Sequence, residues 1–357
     1  MLRTSALPVV ADTYELLVKE RAQPGGVGLS RRDIRQPSAG EALVRVRYAA
    51  ICGTDLGIIN WSPWAASAYK PPFALGHELS GDVLAVGDGV QGTAPGDRVS
   101  METHLPCGRC TQCAMGRGHT CLNLRVFSRL DQGAFAEYAV VPAELLRVVP
   151  ATLPHRHACL MEPLGIAVRA VIESGAGKGS LLVSGCGPIG LLCIAAAKAL
   201  GVTHVAATDL SDARLKLARQ LGADLALDPR DVEATSALAA SAPEGGFDAA
   251  VEASGSGAAI SAMLALTRPG GTVVLAGLPH HAVEIDLARH VVLREVNLRG
   301  IYGRRINETW QEVEALLPRL AQALDQIITH EFRLADFEQA FEVALSGQAG
   351  KVQFRLD

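Results

Sequence analysis

Four cysteines fall within fifteen residues: Cys107, Cys110, Cys113 and Cys121. Their spacing delivers four thiolates from one short lobe, enough to close a tetrahedral zinc shell with bonds of about 2.3 Å. A closed shell has no position for a substrate, so its work is to pin a loop. Gly108, Gly116 and Gly118 let the chain wrap around such an ion. Redox-active thiols are the competing reading. A second set is looser: Cys52 in Cys52-Gly53-Thr54-Asp55, His77 and Glu78 after Gly76, and Glu162 in Glu162-Pro163-Leu164-Gly165. Singly, these are a buried thiol, a core histidine and acids at a helix start. Together, one cysteine, one histidine and one carboxylate make a three-ligand catalytic zinc shell whose fourth position is open to water or an alcohol.

A third group points to a dinucleotide. The apolar run Leu181–Ser184 leads into Gly185-Cys186-Gly187-Pro188-Ile189-Gly190, and a helical pattern follows. The first glycine permits a tight turn, the second lets the backbone approach a pyrophosphate, and the third allows close helix–strand packing. The free N–H groups of the helix start favour the phosphates. Asp209 stands nineteen residues after Gly190, at the end of the next strand pattern, where a carboxylate binds the ribose hydroxyls of NAD and repels the extra phosphate of NADP. Arg214 is placed to soften that preference.

These residues need two kinds of scaffold. Up to about residue 160 the pattern is β-rich: Glu41–Ile51 alternates Val44, Val46 and Tyr48 with Arg45 and Arg47, and glycine-punctuated runs follow at Asp82–Val86, Asp97–Ser100 and Phe135–Val141. From Gly179 strands and helices alternate: strand Leu181–Ser184, helix Ile189–Leu200, strand His204–Thr208, helix Asp212–Leu221, then strands Leu225–Leu227, Phe247–Val251 and Thr272–Ala276. This order implies a doubly wound parallel sheet. Helical patterns at Glu308–Leu324 and Leu334–Leu345 and a strand Lys351–Leu356 read as a return to the first domain. The expected domains are therefore 1–170, with the cysteine lobe at 103–123, then 171–306 and 307–357.

The chain has 357 residues, 49% hydrophobic, with 33 basic and 37 acidic side chains and a net charge of −4. That balance argues against nucleic-acid or anionic-membrane partners. The best apolar run, Ile189–Ala197, stops at Lys198, and the N-terminal residues lack the long apolar stretch of a secretory signal. A cytoplasmic protein with reduced thiols is expected. Of the remaining cysteines, Cys186 lies in the glycine loop, and Cys159 and Cys193 read as core.

The Cys52, Gly76-His77-Glu78 and Gly96-Asp97-Arg98-Val99 motifs, the cysteine lobe and the glycine loop together resemble the zinc-dependent medium-chain dehydrogenase/reductase superfamily, over nearly the whole chain. Within it the chain is similar to the bacterial L-threonine 3-dehydrogenases. The segments carrying that likeness are Ile59–Trp64, Gly300–Arg304, Glu308-Thr309-Trp310, Ile327–His330 and Ser346–Val352. The resemblance implies a GroES-like catalytic domain joined to a Rossmann domain, two zinc ions per chain, NAD, and oxidation of a secondary alcohol. It implies Cys52 and His77 as catalytic-zinc ligands with Glu162 or Glu78 completing the shell, and Thr54 in the proton path. His104 falls where the threonine enzymes carry an active-site histidine. Ile189, Asp209, Arg214, Leu278, Ile301 and Tyr302 match cofactor-lining positions. The strand regions near Thr272–Ala276 and Asn297–Tyr302 resemble those through which relatives form homodimers and homotetramers.

Two positions depart from that pattern. The threonine enzymes carry histidine five residues after the zinc cysteine, where this chain has Gly57, and usually asparagine after the Glu-Pro-Leu-Gly motif, where it has Ile166. Loss of an imidazole removes a group titrating near neutrality from the proton path. Either His104 and water take over, or the substrate is another β-hydroxy amino acid, a polyol, a diol or an aminocyclitol, with ketone reduction as the reverse direction. A cofactor-binding protein without chemistry is the rival of another class; it predicts one zinc per chain rather than two.

Overall fold

The chain starts, in the computed structural model, with an antiparallel pair, β1 (Thr13–Lys19) and β2 (Val27–Asp33). Residues 12–130, 132–279 and 281–356 are described, so most of the N-terminal stretch considered above lies outside them. Next comes β3 (Glu41–Ala50), where Val44 and Val46 are buried and Arg45 and Arg47 are half-buried, as the alternation requires, while Tyr48 is only half-buried. Two short helices follow, α1 (Gly53–Ile59) and α2 (Pro63–Ala68), the second capped by the Ser62 hydroxyl. The strands β4 (Phe73–Ala74), β5 (Glu78–Val86) and β6 (Arg98–Met101) come next, with β4 extending the first pair at β1.

The cysteine lobe hangs between β7 (His104–Leu105) and β8 (Arg125–Val126), which pair with each other, and carries the short helix α3 (Thr111–Ala114). After β9 (Tyr138–Pro142), β10 (Leu146–Val148) and α4 (His155–Ala158), the helix α5 (Met161–Ser174) leads out of this unit. Leu16, Val18, Leu43, Leu84, Tyr138 and Val140 form a core of the β-rich unit.

The second unit is a six-stranded parallel sheet. Its strands are β11 (Ser180–Ser184), β12 (His204–Thr208), β13 (Leu225–Leu227), β14 (Phe247–Glu252), β15 (Thr267–Leu275) and β16 (Asn297–Gly300). Their spatial order is β13-β12-β11-β14-β15-β16, so the order reverses between β11 and β14. The crossover helices are α6 (Pro188–Leu200), α7 (Asp212–Gln220), α8 (Val232–Ser241) and α9 (Gly257–Leu266), with a short α10 (Leu287–His290) before β16. Helix α6 is buried continuously from Gly190 to Ala197, which explains a run too apolar to show a helical stripe. It ends at Gly201 in the left-handed conformation.

The remaining elements are α11 (Glu308–Ile327), β17 (Ile328–Arg333), α12 (Phe337–Leu345) and β18 (Lys351–Arg355). The large antiparallel sheet of the first unit runs β10-β6-β5-β3-β18-β17, with β9 also on β3.

The division of the chain differs from the expected one. The second unit spans Pro163–Thr329 and takes back Ser346–Gly350, leaving His330–Leu345 and the final strand to the first. The chain does not return at residue 307, because α11 packs on α6 through its apolar stripe, including Val313, Leu316 and Leu320. Strand β9 starts at Tyr138 rather than Phe135, whose ring is buried beside Gly76 instead. Helices α8 and α9 were not expected: α8 is alanine-rich and α9 apolar on nearly every face, so neither shows periodicity.

Candidate active site

In the lobe, the Cys110 and Cys113 sulfurs are 3.5 Å apart and those of Cys110 and Cys121 3.7 Å. A tetrahedral shell with bonds of about 2.3 Å needs sulfurs about 3.8 Å apart, whereas a disulfide needs about 2.05 Å. All four donors lie within 4.8 Å of one another. The N–H groups of Cys107 and Asn123 donate to the Cys121 sulfur at 3.2 and 3.3 Å. Hydrogen bonds led by the Arg109 N–H pull the Cys107 thiol down to about 6. Desolvation, then the sulfurs of Cys110 and Cys121, push Cys113 up to about 11. The last proton is thus hard to remove unless a cation takes its place, so the set fits a closed zinc site.

The second set is assembled by strand register. Strands β3 and β5 are antiparallel with Ala50 opposite Glu78, and β3 and β18 are antiparallel with Gln353 opposite Ala50. Counting on from those pairs brings Cys52 beside Gly76-His77 on one side and beside Lys351 on the other. The donor atoms of Cys52, His77 and Glu78 lie within 4.8 Å of one another, and Glu162 stands outside that set. Glu162 is nonetheless buried, accepts the Thr103 hydroxyl at 3.2 Å, and raises the pKa of Glu78 through its charge. The Glu78 carboxylate is gripped by the buried Lys351 ammonium at 2.7 and 2.6 Å. Burial drives its pKa up to about 7, against the pull of Lys351.

Asp55 lies against both other members of the set. One of its oxygens accepts the Cys52 N–H at 2.9 Å and the other lies 3.3 Å from His77 Nδ1. Burial alone would lower the His77 pKa, but Asp55 and Cys52 overcome it and raise it well above the usual value. A carboxylate on the far nitrogen of a ligating histidine fixes its tautomer and orientation, so the donor set suits a zinc ion. Thr54 is half-buried on the first turn of α1. His104 is buried on β7; its N–H and that of Thr103 both donate to Glu102 Oε1, which also lies 3.5 Å from His104 Nδ1. Nothing in the spacing of Asp55 and Lys351 marks them as partners of the candidate ligands.

In the second unit the cofactor candidates gather at the carboxyl ends of the strands: Gly185 after β11, Asp209 after β12, Leu278 after β15, Ile301 and Tyr302 after β16. Ligands of open parallel sheets bind there, at the reversal of strand order. Gly185 has φ +85°, and a Cβ on Gly190 would lie 1.7 Å from the Gly185 carbonyl oxygen. A Cβ on Gly187 would meet only Arg214 Nη1, at 3.8 Å, so that face is open to a phosphate. Ile189 is half-buried at the start of α6. Asp209 accepts the N–H groups of Cys186 at 2.6 Å and Ser211 at 2.9 Å, which fixes its carboxylate against the glycine turn. Arg214 donates to the Ala349 carbonyl at 3.1 Å, and Ser211 to Gln348 at 3.1 Å. Gln348 and Ala349 are thus tied to the start of α7, a contact that their sequence positions conceal. Leu278 is exposed.

A β-rich unit with two thiolate-bearing metal constellations and a sheet with a glycine-turn dinucleotide cradle define a zinc alcohol dehydrogenase of the two-domain kind. Residues 38–151 match the alcohol dehydrogenase GroES-like domain family and residues 188–321 the zinc-binding dehydrogenase family. The chain is 40% identical over 338 residues to the L-threonine 3-dehydrogenase of Pyrococcus horikoshii, covering 94% of this chain and 97% of that protein. It superposes on an Escherichia coli CFT073 alcohol dehydrogenase complexed with NADH with a TM-score of 0.85 at 26% identity, covering 97% of this chain and all of that one. For the 2R,3R-butanediol dehydrogenase of Bacillus subtilis the TM-score is 0.85 at 27% identity, covering 96% and 100%. The chain belongs to the zinc-dependent medium-chain dehydrogenase/reductase superfamily, and is an NAD-dependent zinc oxidoreductase acting on CH–OH groups of a small molecule.

Proposed function

We propose that the protein oxidises L-threonine to 2-amino-3-ketobutyrate, reducing NAD to NADH and releasing one proton. The observation that carries the chemistry is the convergence of Cys52, His77 and Glu78 within 4.8 Å. The likeness to enzymes named for threonine, 40% over nearly the full chain, carries the substrate. Cys52 and His77 hold the catalytic ion, with Glu78 or Glu162 as the third ligand, and Cys107, Cys110, Cys113 and Cys121 hold the structural one. When bound, zinc supplies Lewis-acid polarisation of the alcohol oxygen and NAD the hydride acceptor.

The chain's own residues do the rest. Asp55 keeps His77 and the backbone of Cys52 oriented. The Thr54 hydroxyl takes the alcohol proton, and with Gly57 offering no side chain, His104 and water pass it on. Gly185, Gly187, Ile189 and Gly190 shape the pyrophosphate turn, Asp209 takes the ribose hydroxyls with Arg214 alongside, and Leu278, Ile301 and Tyr302 flank the nicotinamide end.

A second substrate reading rests on one observation. A Cβ on Gly57 would meet only the Ser62 hydroxyl, at 3.7 Å, so the position has room for a side chain that the sequence withholds. Together with Ile166 this favours a diol, polyol or other β-hydroxy amino acid. Steady-state rates with L-threonine, butanediol and polyols, each with NAD and NADP, separate the readings. Threonine as the best substrate, with NAD preferred, supports the proposal; negligible threonine turnover overturns it.

We further propose a homodimer or homotetramer. Strand β16 is the edge of its sheet, and Val292 and Leu293, just before it, are 69% and 81% exposed. A monomer by light scattering refutes this. No helix among the described residues is long and apolar enough to cross a membrane. All eight cysteines are free, which fits a reducing, cytoplasmic setting.

A further inference from the structure

One stripe of α5 meets the chain that leaves β16. Gly165, Arg169 and Glu173 are spaced by four residues and so share a helix face. At Gly165 the missing side chain makes room for the Arg304 stem; a Cβ there would lie 2.6 Å from Arg304 Cδ. Arg169 donates through Nη1 to the carbonyls of Tyr302 at 2.9 Å and Gly303 at 3.1 Å. Its Nε lies 2.9 Å from Glu173 Oε1. The same carboxylate receives Arg305 Nε and Arg299 Nε, each at 2.8 Å. One carboxylate, with its side chain 8% exposed, thus carries three guanidinium groups.

The held segment joins a buried anchor, Arg304 at 1% exposure, to a more open stretch before it. Tyr302 is 52% exposed, Ile301 is half-buried, and Gly303 adopts φ +58°. Ile301 is tied at its N–H to the Leu275 carbonyl at 3.1 Å. Beyond that point Arg169 holds the next two carbonyls, and the Arg305 N–H donates to the Thr309 hydroxyl at 3.1 Å. Three guanidiniums on one carboxylate are also sensitive to its charge: neutralising Glu173 leaves three like charges converging on an uncharged amide.

We propose that Arg169 and Glu173 are positioning residues for the cofactor, a clamp on α5 that sets Ile301 and Tyr302 in the conformation required to receive the nicotinamide end of NAD. The clamp rests on the proposed role of Ile301 and Tyr302. It predicts that weakening Glu173 alters cofactor affinity rather than metal binding or the handling of the alcohol.

The test uses the purified zinc-loaded enzyme with Glu173→Gln, Glu173→Asp and Arg169→Met. NADH affinity is read from its fluorescence on binding, and KM is measured separately for NAD and for the alcohol. Amide hydrogen exchange over residues 300–307 is followed without cofactor, and zinc is counted. Glu173→Gln and Arg169→Met are expected to weaken NADH binding and raise KM for NAD about tenfold, as loss of one charged hydrogen bond would. KM for the alcohol and zinc content stay within about twofold, exchange over 300–307 speeds up, and Glu173→Asp recovers part of the affinity. Faster exchange with unchanged NADH affinity overturns the proposal, leaving a merely structural clamp. Unchanged exchange overturns it as well. A wild-type enzyme that does not bind NADH refutes the cofactor reading itself, a different result from variants that bind as the wild type does. If Glu173→Gln does not fold, Arg305→Gln, on the exposed arm of the hub, carries the same comparison.

Discussion

The glycine turn permits a prediction in which stability and binding separate. In Gly190→Ala the new Cβ would stand 1.7 Å from the Gly185 carbonyl oxygen and 3.5 Å from Val183 Cγ1. An unstrained carbon–oxygen contact is about 3.3 Å, so the turn must open by about 1.6 Å. Neither atom can yield cheaply, since one is backbone and α6 behind it is buried from Gly190 to Ala197. Overpacking of this kind costs about 3 kcal/mol, or a fall in Tm of about 6–12 °C for a unit of this size. In Gly187→Ala the methyl meets only Arg214 Nη1 at 3.8 Å, and φ −65° with ψ −178° is open to any residue. Its stability cost stays under about 1 kcal/mol, that of a changed helix cap. The methyl does occupy the face offered to the pyrophosphate, and loss of even one hydrogen bond to a charged group weakens NADH binding at least about tenfold. Thermal unfolding of the cofactor-free protein and an NADH titration read the two effects. Gly190→Ala melting with the wild type, or Gly187→Ala binding NADH with wild-type affinity, refutes the assignment of roles within the turn.

Metal counting gives the next test: the wild type is expected to hold two zinc ions per chain, with Cys113→Ser losing one and Cys52→Ser the other, as read by elemental analysis. A wild type holding a single ion would restore the rival without chemistry. Glu41 supplies a pH test away from the site. Its carboxylate, gripped by Arg35 at 2.6 and 2.9 Å, is held down at about 2, against an ordinary value of 4.5. A depressed carboxylate stabilises fully above about pH 4.5 and loses that contribution as pH falls toward 2. Because Arg35 is 46% exposed, solvent reduces the effect to about 0.5–1 kcal/mol. The Tm difference between wild type and Glu41→Gln should be constant from pH 5 to 8 and shrink below 4.5; a difference that grows in acid contradicts the pairing.

Legibility differed between the two metal constellations for a physical reason. The cysteine lobe is local: its four donors span fifteen residues, so spacing in the chain nearly equals spacing in space. The Cys52 set is made by register, and register is invisible in composition. Nothing local tells that Ala50 faces both Glu78 and Gln353, yet those two pairings place His77 and Lys351 on either side of Cys52. The parallel sheet was readable wherever strands were buried on both faces and helices stopped at glycine, as at Gly201 and Gly222. It was not readable at α8 and α9, where small or uniformly apolar residues erase the period. The end of the second unit escaped for another reason: the α11 stripe says that the helix is buried, but not against which partner.

That register also has an electrostatic consequence. Around Cys52 it gathers the acidic groups of Asp55, Glu78 and Glu162, all at most 5% exposed, with Lys351 as the one fully buried cation among them. Lys351 grips Glu78 through both oxygens. Asp55 faces His77, whose raised pKa shows the imidazole drawn toward the charged form after the opposing pull of burial. The Lys351 charge also acts on the Cys52 sulfur and on Glu162, so one buried ammonium faces several acidic groups at once. Burying charge costs several kcal/mol per ion even after relaxation. A neutral hydrophobic or polar core would not retain such a cluster, since replacing paired charges by packed apolar groups is commonly neutral or better for stability. The arrangement instead suits an added divalent cation: Cys52, His77 and Glu78 bring their donor atoms within 4.8 Å of one another, and Asp55 stands against His77 Nδ1. The cluster is built from three adjacent strand ends that the chain reaches at residues 52, 77 and 351, the placement that the proposed catalytic cation would require.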